Sequence, residues 1–136
     1  MKEKLYRIID ANLNRSREGL RVCEEIARFV LDDAPLTKEF KAIRHGVSGC
    51  IKLYPARLRG IVSARDSEGD VGRCKQAIER KRAGWKGVSA ANMERVKESL
   101  RVLEEFSKLI DKKISDRFKG LRFRAYDAEK KLVSRF

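Results

Sequence analysis

Two sets of residues in this chain have types and spacing that could do chemistry. In the first, Asp66, Glu68 and Asp70 alternate within SARDSEGDVG, residues 63–72, which ends on Gly72. Alternate carboxylates in a glycine-containing turn can hold a hard divalent cation, directly or through water. Asp66 and Asp70 are therefore candidate metal ligands, and Gly69 and Gly72 are points where backbone could approach a bound phosphate. The turn is not an EF-hand, whose ordered ligands and terminal glutamate are missing, and a bare acidic turn is more often a solvated loop. The second set recurs: ANLNRSREGLRVCEE (11–25) returns as ANMERVKESLRVLEE (91–105). Residues 11–30 and 91–110 are identical at nine of twenty positions. Asn12 and Arg15 open one copy, Asn92 and Arg95 the other. A guanidinium is always charged and forks two hydrogen bonds onto phosphate oxygens, which points to anion binding. A carboxamide donates and accepts at once, which suits the edge of a heterocycle.

Helices must position these residues. FKAIR at 40–44 echoes FKGLR at 118–122, so the repeated unit is a pair of helices. Periodicity predicts helix A over about 3–31, ending near Pro35, and helix B over about 37–54, capped by Thr37. The second copies run over about 90–111 behind Ser89 and about 115–134 behind Ser115. The expectation is an all-α chain forming one domain, with a four-helix core built from two copies of a two-helix unit. Pseudo-twofold symmetry would relate the halves, about 3–54 and 90–135, across one long central connection, 55–89. That connection carries the apolar run IVSA, the acidic turn and a helix at about 73–83.

On a helical wheel Asn12 falls in the middle of the apolar face of helix A, with Arg15 near its edge and small Ser16 and Gly19 beside them. Arg44 falls among Phe40, Val47 and Ile51, and Arg122 among Phe118, Ala125 and Leu132. An uncompensated interior charge loses several kcal/mol of solvation, so four inward arginines beside two inward asparagines predict a polar cavity that receives anions. The alternative is that Arg15 and Arg95 pair with Glu18 and Glu98 as structural salt bridges. Arg21, Glu24 and Glu25, with Arg101, Glu104 and Glu105, read as helical ion pairs on a solvated or subunit-facing surface, which a homodimer would use. AGWKGVS (83–89) offers Lys86 and Gly87 to a phosphate at a helix start, and Trp85 for stacking, although no Walker A pattern occurs. His45 reads as surface.

Net charge is +13 with pI ≈ 10.0, so the partners are expected to be anionic. Charged residues make up 39% of the chain against about 25% in ordinary globular proteins, which suits long solvated helices. No apolar run is long enough for a membrane span, so no membrane partner is expected. Cys23, Cys50 and Cys74 lack C-x-x-C spacing and read as reduced thiols in a cytoplasmic protein, and the single His45 excludes a metal site made of histidines.

IIDANLNRSREGLRVCEEIARFVLDD, SARDSEGDVG and AANMERVKESLRVLEEFSKL, in that order, resemble the monofunctional hydroxymethylpyrimidine phosphate kinase family. Its helical domain stands alone in some microbes and is fused ahead of thiamine phosphate synthase in others. The resemblance runs from about residue 7 to about residue 125. It implies ATP-dependent phosphorylation of hydroxymethylpyrimidine phosphate to the diphosphate in thiamine biosynthesis, with ATP and Mg²⁺ as cofactors and small phosphorylated molecules as partners. The family blocks map onto Asn12, Arg15, Glu18 and Arg21, onto Arg65, Asp66, Gly69, Asp70 and Gly72, and onto Asn92, Arg95, Glu98 and Arg101. The resemblance assigns no role to any single position; the chemistry of the residues makes Arg15, Arg95 and Arg65 the catalytic candidates. Asn12, Asn92, Arg44, Arg122, Glu18 and Glu98 would bind substrate; Lys86, Gly87, Gly69 and Gly72 would bind phosphate; Asp66 and Asp70 would bind metal. Two rival readings are a basic helical module for nucleic acid, disfavoured because aromatics are few and not interleaved with base-reading groups, and a non-catalytic regulatory domain.

Overall fold

Among the described residues five helices account for the regular structure. The computed structural model describes residues 1–55, 57–73 and 81–136, and no strand occurs among the described residues. α1 spans Lys2–Glu25 and runs on through a π-helical turn at Ile26–Val30; α2 spans Ala34–Ile51, α3 Arg57–Ser63, α4 Gly84–Ser107 and α5 Lys112–Val133. α1 packs on α4 and α2, and α5 packs on α4 and α2, so the four long helices close a ring. α3 lies against α1. This is the predicted all-α bundle, with the copies of helix A side by side and the copies of helix B side by side.

The two halves bury matching positions. Leu20 and Leu100, Cys23 and Leu103, Phe40 and Phe118, and Ile43 and Leu121 are all in the core. Burying a side chain of this size contributes roughly 1.5–3 kcal/mol relative to exposure, so this shared skeleton explains why the repeat keeps its apolar positions. The helix A copies are offset by 80 residues and the helix B copies by 78. The difference lies in the turn between them: seven residues, 26–32, separate Glu25 from Asp33, and five, 106–110, separate Glu105 from Asp111. The first half absorbs its two extra residues in the π turn and in Asp32, whose φ of 48° is left-handed. Where α1 meets α4, buried Ser16, Gly19 and Ser99 keep the contact slim. A Cβ on Gly19 would sit 2.8 Å from Val96 Cγ2 and 2.9 Å from the Asn92 carbonyl oxygen.

Helix boundaries differ from the sequence expectation in instructive ways. α2 is capped by Asp33, whose carboxylate accepts from Leu36 N, while Thr37 lies one turn inside and donates to Asp33 O. Pro35 sits in the first turn, where it has no hydrogen bond to lose, so it opens this helix where it was expected to end the one before. α4 begins five residues before Ser89, which lies inside the helix and donates to Trp85 O. α5 is capped by Asp111, and Ser115 ties α5 back to α4 by donating to Glu104 O. Ile61, Val62 and Ser63 of the IVSA run close α3, a helix not expected from the sequence, and Ala64 lies in the turn after it. The helix expected at 73–83 falls mostly on residues 74–80, outside the described residues, as does Cys74; Arg73 and residues 81–83 are not helical.

Candidate functional site

A groove of about 690 Å³ opens between α1 and α4. Asn12, Arg15, Glu18 and Val22 line it from α1, and their repeat equivalents Asn92, Arg95, Glu98 and Val102 line it from α4. The pseudo-twofold axis therefore passes through the groove. Asn12 is buried and Asn92 half-buried, and each Nδ2 donates at 2.9 Å to the carbonyl four residues earlier, Ile8 O and Val88 O. Arg15, Arg95, Glu18 and Glu98 are exposed. This corrects the inward orientation expected for the two arginines: they stand on the walls of an open groove, where solvent reduces the cost of their charge. No Arg15–Glu18 or Arg95–Glu98 ion pair forms among the described residues.

A second groove, of about 600 Å³, flanks the first. Lys4, Arg7, Asp10 and Asn14 of α1 face the loop that carries Arg65, Asp66, Asp70 and Arg73, and Asn12 and Arg15 line this groove as well. The loop is tied to α1 by Arg65, whose Nε and Nη2 donate to both oxygens of buried Asp10 at 2.6 and 2.7 Å. Those hydrogen bonds and the carboxylate's charge raise the Arg65 pKa further above its ordinary value. Within the loop, Asp66 Oδ1 accepts from Gly69 N at 2.8 Å and Asp70 Oδ1 accepts from Gly72 N at 2.9 Å. A Cβ on Gly69 would displace the Asp66 carboxylate from this position. The amides of Gly69 and Gly72 are thus committed to the turn, a correction to their expected role as phosphate donors. Arg7 Nη2 lies 3.7 Å from Asp66 Oδ2. Among the described residues no cluster of three His, Cys, Asp or Glu forms a metal site.

Other candidates lie away from the grooves. Arg44 Nε donates to Glu24 Oε2 at 2.8 Å, and Arg122 Nε donates to Glu104 Oε2 at the same distance. Glu24 and Glu104 are buried, at 3% and 4% exposure, although they were expected to point outward. Arg44 and Arg122 thus join helix B to helix A in each half as ion pairs and line neither groove, a correction to their expected place in a substrate-binding polar cavity. Arg21 and Arg101 do lie outside, each bridging to its own Glu24–Glu25 or Glu104–Glu105 pair. Lys86 and Gly87 lie in the first turn of α4, where Gly87 N already donates to Ala83 O, and neither they nor exposed Trp85 line either groove. Burial pushes the Cys23 thiol up to about 12 and the Cys50 thiol up to about 11, so both are inert.

Sequence reasoning missed Asp10, Arg7, Arg73 and Asn14. Asp10 was detectable: a carboxylate beside Ile8, Ile9 and Leu13 on one helix needs a cation to offset its burial. Arg7 and Arg73 carried no signal apart from charge.

The chain matches the ThiD2 family over residues 7–131. It is 42% identical over 134 residues to a protein of Nostoc punctiforme named thiamine-phosphate synthase, an alignment covering 98% of this chain and 36% of that one. A thiamine-phosphate synthase of Thermosynechococcus vestitus is 42% identical over 132 residues, covering 96% of this chain and 36% of the relative. One from Rhodopirellula baltica is 39% identical over 123 residues, covering 90% and 32%. The chain therefore spans about a third of the length of these curated relatives. No solved structure matches it. The matched stretch takes in the acidic loop and every residue lining the two grooves except Lys4, and by that match the chain belongs to the ThiD2 family.

Proposed function

We propose that this chain works in thiamine biosynthesis as a phosphotransferase, moving the terminal phosphoryl group of ATP onto hydroxymethylpyrimidine phosphate to give the diphosphate. The relatives' name supports the pathway, and the grooves support the step. The observation that carries it is Arg15 on a wall common to two polar grooves, one of them rich in cations and bordered by Asp66 and Asp70. The acceptor is already a phosphate monoester whose oxygen is anionic at neutral pH. That oxygen bonds to the terminal phosphorus of ATP, the bond from phosphorus to the bridging oxygen breaks, and ADP leaves. No strong general base is required. The need is to hold two highly charged groups in line and to offset their repulsion, which arginines on rigid helices answer.

Mg²⁺ fits this arrangement. It is commonly held by one or two carboxylates, with substrate phosphates and water completing its shell. Asp66 and Asp70 each use Oδ1 inside the turn, leaving Oδ2 of Asp70 for such a role, and Oδ2 of Asp66 once Arg7, 3.7 Å away, turns to a phosphate. The ion would neutralise polyphosphate charge there, while Arg15 and Arg65 contact phosphate oxygens and Asn12, Asn92, Glu18 and Glu98 read the aminopyrimidine. The test is to incubate purified protein with ATP, Mg²⁺ and hydroxymethylpyrimidine phosphate. Equal amounts of ADP and the diphosphate are expected. ADP without the diphosphate, or no turnover at all, would refute the proposal.

A further inference from the structure

Resting on that reading, we infer that the two grooves divide the ligands. The flanking groove takes one magnesium-complexed polyphosphate per chain. The central groove takes the compact, amine-bearing monoester, and Arg15 touches both. Charge separates the two sites. Among the described residues five cationic side chains line the flanking groove, from Lys4 to Arg73, against the carboxylates of Asp10, Asp66 and Asp70. Asp10 is already matched to Arg65, so the surplus positive charge faces whatever enters. The lining of the central groove is balanced, with Arg15, Arg82 and Arg95 against Glu18, Glu94 and Glu98, and Glu94 shares its charge with Lys97 just outside it. A balanced wall holding two carboxamides, with Val22 and Val102 for apolar contact, suits a small ring bearing an amine and one phosphate. A triphosphate would meet three like charges there.

The repeat supplies a second, independent argument. Lys4, Arg7 and Asp10 correspond, by the offset of 80, to Gly84, Gly87 and Ala90. The second half thus lacks counterparts of Lys4 and Arg7 and of the carboxylate that anchors the loop. The central groove is shared by both halves, whereas the polyphosphate groove is a property of the first half alone. One polyphosphate per chain follows, lying on the Arg15 side of the central groove and not on the Arg95 side. Arg15 and Arg95 therefore have unequal roles despite their symmetry: Arg15 spans the gap between donor and acceptor, and Arg95 holds the acceptor.

Titration calorimetry on the whole chain tests the division without relying on turnover. Magnesium tripolyphosphate, which has no base or ring, is the first probe, and hydroxymethylpyrimidine phosphate the second. The wild-type chain should bind one tripolyphosphate. Asp70→Asn with Arg73→Ala should weaken that binding at least tenfold and leave monoester binding within twofold. Glu98→Gln, at an exposed position that should fold normally, should do the reverse. In steady-state kinetics Arg95→Lys should raise KM for the monoester, whereas Arg15→Lys should mainly lower kcat. Two tripolyphosphates per chain, tripolyphosphate binding weakened by Glu98→Gln, or equal behaviour of the two arginines would overturn the division. A wild-type chain that makes the diphosphate but shows the opposite pattern overturns the division alone. A chain that binds neither probe and makes no product overturns the phosphotransferase reading with it.

Discussion

Replacing Arg122 with methionine leaves the Glu104 carboxylate, 5% exposed, without its closest cation. Breaking a buried ion pair by removing one partner costs about 3–5 kcal/mol, because the surviving charge stays desolvated. Arg101 still lies 3.3 Å from Glu104 and is half exposed, so the lower end applies, about 3 kcal/mol. For a chain of this size each kcal/mol moves Tm by about 3–4 °C, so the variant should melt about 10 °C below wild type. Its urea midpoint should fall by about 1–3 M. The repeat provides an internal control. Arg44 is 20% exposed where Arg122 is 13% exposed, so Arg44→Met should destabilise in the same direction but less. Replacing both members, Arg122→Met with Glu104→Met, should recover most of the loss, because no buried charge is then left unpaired. Urea curves and thermal scans, read beside KM for both substrates, separate the alternatives. If Arg122→Met kept its Tm but raised a KM tenfold, the residue would be a ligand clamp and the interior ion-pair argument would be wrong.

Asp66→Asn with Asp70→Asn should abolish diphosphate formation while circular dichroism and Tm stay close to wild type; undiminished activity would remove the metal role. EDTA should likewise stop turnover, with full recovery on adding excess Mg²⁺. Asp10→Asn should lower kcat/KM at least tenfold by loosening Arg65 and the acidic loop, and a variant with unchanged kinetics would show that the tether is dispensable. Gly19→Ala should cost about 1–3 kcal/mol, read from urea midpoints, because its methyl group would press on the Asn92 backbone as well as on Val96. Cys23 and Cys50 stay protonated in the folded chain well above pH 9, whereas in the unfolded chain they ionise near their ordinary value of 9.0. Stability from these thiols is therefore intact below pH 9 and declines as pH rises from 9 towards 11, where the unfolded state binds fewer protons. Urea midpoints between pH 8 and pH 10.5 should show this fall, and Cys23→Ala with Cys50→Ala should flatten it.

The bundle was legible because it is written twice. Matching apolar positions such as Leu20 with Leu100 and Phe40 with Phe118 require matching surroundings, and helical periodicity sets which faces meet. Cap residues were less legible. Ser89 and Ser115 are good N-cap types, but inside a helix the same hydroxyls can donate to a nearby carbonyl, and type alone does not distinguish the two. Asn12 and Asn92 were located by the wheel. The wheel also suggested that Arg15, Arg44, Arg95 and Arg122 formed one group, and the fold divides them. A long side chain whose Cα lies near the edge of an apolar stripe can reach outward, as Arg15 and Arg95 do, or across to a buried carboxylate, as Arg44 and Arg122 do. Which occurs depends on Glu24 and Glu104, whose burial follows from how α2 and α5 lie over them. The flanking groove was largely hidden, because the Asp10–Arg65 bond joins residues fifty-five positions apart.

A cleft whose two walls repeat one another poses a problem of handedness for anything that lies in it. Turned end for end about the pseudo-twofold axis, a small guest meets nearly the same asparagines, arginines and glutamates. In one pose its phosphate points towards the acidic loop, and in the other it points away, where nothing can react with it. The choice must come from places where the copies have drifted apart, such as Asn14 against Glu94, Ser16 against Val96 and Gly19 against Ser99. A preference of about 1.4 kcal/mol between poses is enough for a tenfold bias, the scale of one or two hydrogen bonds. Restoring symmetry with Glu94→Asn would then lower turnover without weakening binding, because part of the guest would sit correctly held and facing the wrong way.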